Sequence, residues 1–114
     1  MPPDELPILA AWLAFLGWLL PTTEKFPHRV RFTLTQRVEG LALDVVEDLV
    51  EARYSRSKLE PLRRANLRLE KLRVLLRLSH DQRHLAARQY EHAARELAEV
   101  GRMLGGWRRQ QEAG

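Results

Sequence analysis

Apolar residues return every three or four positions over much of this chain: Leu34, Val38, Leu41, Val45, Leu49 and Ala52 in one stretch, Leu62, Ala65, Leu69, Leu72 and Leu76 in the next. That spacing gathers them on one stripe of an α-helix but scatters them over both faces of a strand, so helices must build the core. Four helical segments follow. The first spans about Glu5 to Leu20, with Pro7 in a first turn that tolerates it and Pro21 as its stop. The second comes after Phe26-Pro27 and covers about Arg29 to Tyr54; Asp44, Glu47, Asp48 and Glu51 form an acidic stripe on its other side. The third starts near Ser57 or Lys58, because Pro61 must fall within about the first turn, and continues to Leu78. The fourth opens at Ser79-His80-Asp81-Gln82, a capping-box pattern, and closes at Gly105-Gly106, which suits a helix C-terminus. Short connections imply an all-α, up-down four-helix bundle, one domain over residues 1–107 with a frayed tail over 108–114.

A chain of 114 residues is too short to split into two cores, and 45% hydrophobic with 30% charged residues is a globular balance. Cysteine is absent, which excludes disulfides, thiol nucleophiles and thiolate metal sites and makes a cytoplasmic location the expectation. The apolar run Ile8 to Leu20 would span only about 20 Å as a helix, against about 30 Å for a bilayer core. Asp4 and Glu5 stand before it where a signal peptide carries basic residues, so the run is expected to belong to the fold and no membrane partner is expected. Within it, Trp12, Phe15 and Trp18 read as core or subunit contact.

No glycine-rich phosphate loop appears, and no strand carries a nucleophile elbow. Di-metal bundles need Glu-x-x-His on two helices; the nearest pattern is a single Asp81-x-x-His84. His80 and His84 lie one turn apart without an evident third ligand. The expectation is a protein without catalytic residues, metal or cofactor, hence no enzyme. Gly101-x-x-x-Gly105 reads as close helix packing plus a C-cap.

The third segment says most about function. Leu67, Val74, Leu75 and Leu78 fall opposite its seam, and a helix in a monomeric bundle needs only one apolar face. Self-association follows, with Leu67, Val74, Leu78, Trp12 and Phe15 as candidate interface residues. The chain carries nineteen Lys and Arg against fifteen Asp and Glu, and sixteen of the nineteen are Arg. Between Arg53 and Arg77 stand nine cations and two anions. Arg63, Arg73 and Arg77 flank the seam on one side; Arg64, Arg68 and Lys71 flank it on the other. One reading is that these six bind the backbone of RNA or DNA with little sequence preference. Another is that the acidic stripe neutralises them, although residues 25–52, with four cations and five anions, cannot cancel the whole excess. A third is an arginine-rich composition inherited from a GC-rich genome. Arg64, Arg68 and Lys71 lie off the seam, so their replacement should cost little packing. In the fourth segment Glu91 and Glu99 interleave with Arg88, Arg95 and Arg102, an ordinary self-paired face.

Several stretches occur in order along nearly the whole chain: Trp18-Leu19-Leu20-Pro21, Lys25-Phe26-Pro27, Arg31-Phe32-Thr33-Leu34-x-Gln36-Arg37, Leu49-x-x-Ala52-x-Tyr54 and Ala65-Asn66. They continue with Leu69-x-x-Leu72-Arg73-x-Leu75-Leu76-Arg77, Gln89-Tyr90 and Gly101-Arg102-Met103-x-Gly105-Gly106-Trp107. Together they resemble the accessory variability family of diversity-generating retroelements. A related four-helix family, encoded by intervening sequences in ribosomal RNA genes, shares the fold, but its usual motifs near the second helix do not appear. The resemblance implies a barrel-like homopentamer that binds nucleic acid and a reverse transcriptase and supports mutagenic cDNA synthesis. Of the family's basic surface, Arg73 and Arg77 sit inside a matched motif. A first segment more apolar than the family's is a departure that points to a modified subunit contact. The other class open to such a chain is a purely structural oligomeric scaffold with no nucleic-acid role.

Overall fold

In the computed structural model the described residues are 7–113, and four helices carry them: α1 (Pro7–Glu24), α2 (Gln36–Tyr54), α3 (Leu59–Asp81) and α4 (Ala87–Ala113). No strand occurs among the described residues. The α3 seam lies where the periodicity puts it, with Leu62, Ala65, Leu69, Leu72 and Leu76 all buried. On α2 the stripe is centred about one residue further on. Val38, Ala42, Val45, Leu49 and Ala52 are buried, while Leu34 and Leu41 pack against the core from its edge. Full burial of a side chain of this size stabilises by about 1.5–3 kcal/mol, so the stripes decide the fold. α2 packs most extensively on α3 and α3 on α4, and α1 lies across α2 and α4.

Trp12 and Phe15 were expected at a subunit contact, and the structure corrects this. Both are buried inside the protomer, where their rings stand 5.2 Å apart. The Trp12 indole N–H donates to the Ala42 carbonyl at 2.9 Å, which ties α1 to α2. Such tightly packed rings offer no surface to a second subunit. Trp18 is half-buried against the core with its ring on His92. Leu75, read with the outer face of α3, also packs partly against the core.

Helix ends depart furthest from the pattern in the sequence. Glu5, the expected start of the first helix, lies outside the described residues, as does Asp4. Pro21 does not stop α1, which continues to Glu24. Its missing N–H costs one bond near the end of the helix. The last turn is tied by other bonds: the Thr22 hydroxyl donates to the Trp18 carbonyl at 2.7 Å, and the buried Thr23 hydroxyl donates to Glu39 Oε2 at 2.6 Å. A 3-10 turn (His28–Val30) and a π turn (Arg31–Thr35) lead into α2.

Ser79 was expected to begin the fourth helix, yet it is buried within α3 and its hydroxyl donates to the Leu75 carbonyl at 2.8 Å. The chain then leaves α3 through paired bonds: His84 N–H to the Ser79 carbonyl at 2.8 Å and Arg83 N–H to the His80 carbonyl at 2.9 Å. This is a Schellman motif, and Arg83 occupies its left-handed position with φ 66°. The N-terminal device of α4 lies beyond it, where the Gln89 side chain accepts the Ala86 N–H at 2.8 Å.

α4 also runs straight through Gly105-Gly106 to Ala113, so the expected C-cap and the expected frayed tail are both helical there. Gly114 lies outside the described residues. A Cβ on Gly101 would meet nothing within 4 Å, so the close packing inferred from the glycine spacing is not present. No helix among the described residues is long and apolar enough to cross a membrane.

Arginine in the left-handed region carries a steric cost that glycine escapes. Arg83→Gly should therefore stabilise the fold by about 1 kcal/mol and raise the thermal midpoint by a few degrees. A lowered midpoint in calorimetry would show that the Arg83 side chain contributes more than its backbone costs.

Candidate nucleic-acid interface

The six cations singled out on α3 divide into groups with different fates. Asp48 lies on the buried stripe of α2, between Val45 and Ala52, and its side chain is only 4% exposed. A carboxylate held there must be met by charge and hydrogen bonds. Arg68 Nη1 approaches both Asp48 carboxylate oxygens at 2.6 Å, and its Nε lies 3.9 Å from Asp44 Oδ2. Arg64 Nε donates to Asp48 Oδ1 at 3.3 Å, and its Nη2 donates to Glu51 Oε1 at 2.6 Å. These pairs match residues running in opposite directions along α2 and α3, so the two helices are antiparallel.

Arg64 is held further into the protonated range by its bond to Glu51, then by that to Asp48; Arg68 is held there chiefly by Asp48. Neither will release its proton at any working pH. The acidic stripe thus neutralises this flank, and the expectation that Arg64 and Arg68 can be replaced at little cost is overturned: their partner is buried in the α2–α3 interface.

The other flank differs. Arg63 and Arg77 are exposed with no carboxylate in ion-pair reach among the described residues. Arg73 meets only the exposed Glu70, at 3.5 Å. Lys71 belongs to neither group. It is exposed on the outer face, in line with exposed Leu67, Val74 (65%) and Leu78. On α4 the self-paired face is present at one place only: Arg102 and Glu99 form an ion pair that holds the carboxyl below its usual range. Arg88 and Arg95 find no such partner among the described residues.

Two aromatic side chains carry no signal in the helical periodicity. Phe32 is 77% exposed beside Arg31, and it lines an open groove with Leu20, Pro21 and Leu43. Tyr54 is 76% exposed, with the Arg53 guanidinium 5.7 Å from its ring centre. The signal that could have found them is adjacency, an aromatic next to arginine at a helix end. The histidines considered for a metal are engaged elsewhere. The His80 ring stacks on Tyr90 and its Nδ1 lies 3.0 Å from the Leu85 carbonyl oxygen, while His84 rests against Phe26.

A family model described as bAvd-like matches residues 9–111 of the chain. The comparison with curated proteins found no match.

Removal of one partner from the buried cluster leaves Asp48 short of donors. Arg68→Met should cost about 1–3 kcal/mol in urea unfolding. The double change Asp48→Leu with Arg68→Met should recover most of that loss, since an apolar pair can replace a buried ion pair at small net cost. If Arg68→Met alone is neutral, the cluster does not hold the two helices together.

Proposed function

The chain belongs to the bAvd-like family, named for the Bordetella phage accessory variability determinant of diversity-generating retroelements, and from that premise we propose a non-enzymatic accessory role in mutagenic cDNA synthesis. In this reading the protein assembles as a homo-oligomer, a pentamer by the family resemblance, and binds both the reverse transcriptase and the backbone of RNA or DNA. The observation that carries the nucleic-acid part is the open flank of α3, where Arg63 and Arg77 keep their charge for an outside partner beside a weakly held Arg73. Arginine suits this task because its planar fork meets a phosphate with two donors. Arg64 and Arg68 drop out of the proposed contact, since the charge of each is engaged by carboxylates of α2.

Self-association draws support from surfaces without charge. From Pro7 to Thr23, α1 has no Asp, Glu, Lys or Arg, and its outer face presents Ala10, Leu13, Ala14, Gly17 and Pro21. Exposed apolar residues in that number ask for cover.

The competing reading, a structural scaffold without a nucleic-acid role, gains from the neutralised flank. A salt titration separates the two. On duplex DNA the slope of log affinity against log salt should be about −0.9 per phosphate neutralised. Arg63→Glu with Arg77→Glu should weaken binding and make that slope shallower by about 0.9 for each of the two that holds a phosphate. The same variant should reduce cDNA synthesis with the cognate polymerase at unchanged mass and melting point. Equal loss from Arg88→Glu with Arg95→Glu would remove the function from α3. A wild-type protein that binds neither RNA nor DNA at low salt would leave the scaffold reading standing.

A further inference from the structure

Two exposed lines on the bundle share one pattern. On α2 it is Leu43, Glu47, Val50 and Tyr54; on α3 it is Leu67, Lys71, Val74 and Leu78. In each, steps of four, three and four residues place three exposed apolar side chains and one exposed charge on a single helix face. The step averages about 3.7, close to the roughly 3.6 residues of a helical turn, so each line stays on one face as a packing stripe does. The charge has opposite sign on the two helices. Neither Glu47 nor Lys71 has an ion-pair partner among the described residues, in contrast to Asp48, Glu51, Arg64 and Arg68 beside them.

We infer that the two lines are the halves of one contact between successive copies of this chain: the α2 line of one protomer seats on the α3 line of the next, with Glu47 against Lys71. The inference rests on the self-association proposed above and names the surfaces that perform it. Charge decides which lines meet. Packing α3 on α3 would set Lys71 against Lys71, and α2 on α2 would set Glu47 against Glu47, whereas the mixed pairing satisfies both at an apolar surface. The charge stands second in each line, so all four residues match in register only where the helices run parallel; where they run antiparallel, Glu47 still meets Lys71, with Leu43 near Val74 and Val50 near Leu67. A contact between two different surfaces repeats from copy to copy and closes as a ring of any number, odd numbers included; a two-fold contact on one shared surface stops at a pair. Lys71, one of the candidate phosphate ligands, is thereby assigned to the subunit boundary.

Charge reversal tests this on the full chain. Light scattering at micromolar concentration should give the wild type several times the 13.3 kDa protomer mass. Glu47→Lys and Lys71→Glu should each raise the dissociation constant about tenfold or more, and the combined variant should regain the wild-type mass. Both residues are exposed, so the thermal midpoint of diluted protein should hardly move. Val74→Ser, an uncharged change on the same line, should weaken assembly as well and serves if either reversal fails to fold. Assembly indifferent to the single changes, or a double variant no better than the singles, overturns the pairing and leaves self-association intact. A monomeric wild type overturns self-association itself, and the pairing with it.

Discussion

A carboxylate buried between helices sets the terms for this bundle. Asp48 sits on the stripe that α2 turns toward the core, and Arg68 and Arg64 reach it there from α3 with hydrogen bonds. Such an arrangement contributes less to stability than its short distances suggest, because desolvation offsets most of the attraction. Its stronger effect is on register. Leucine stripes tolerate a slide of one turn, whereas such a slide would part Arg64 and Arg68 from Asp48, so the cluster favours the observed alignment of α2 and α3. The rest follows from that alignment, including which cations are consumed inside and which remain outside.

The cationic character of α3 is therefore not a single property. One flank serves the fold, a second holds Arg63, Arg73 and Arg77 toward solvent, and the outer line carries Lys71 among apolar residues. Net charge of the segment suggests a uniform basic surface. Local geometry divides it, and the open flank keeps a positive charge that the acidic residues of α2 do not cancel.

What the sequence made legible was periodic. The α3 seam was readable because five apolar residues recur without interruption. The burial of Asp48 could have been read as well, since it stands three residues after Val45 and four before Ala52, on the stripe itself. Grouping it with Asp44, Glu47 and Glu51 as one acidic face hid that. Helix ends were legible around the α2–α3 loop, where α2 ends at Tyr54 and Pro61 confines the start of α3, and not elsewhere. Gly105-Gly106 costs roughly 1 kcal/mol per glycine in a helix interior, but Leu104 and Trp107 pack against the core on either side and carry the helix through. Ser79 reads as a cap in a linear pattern, yet its hydroxyl bonds backward to Leu75, so the turn forms four residues later at Arg83. The open flank of α3 was expected, whereas its separation from Arg64 and Arg68 depended on pairings between helices that no local pattern encodes.

The first helix, uncharged from Pro7 to Thr23, has a consequence in time. During synthesis α1 emerges from the ribosome before α2 and α4, the helices it packs on. Trp12 must wait for Ala42 to gain its hydrogen bond, and Trp18 for His92. Meanwhile the α2–α3 pair, joined by a short loop and its own ion cluster, can close as soon as both helices are made. The nascent chain thus exposes its most apolar segment until α2 and then α4 arrive to cover it, an exposure that a charge placed at Ala10 or Ala14 would make less apolar.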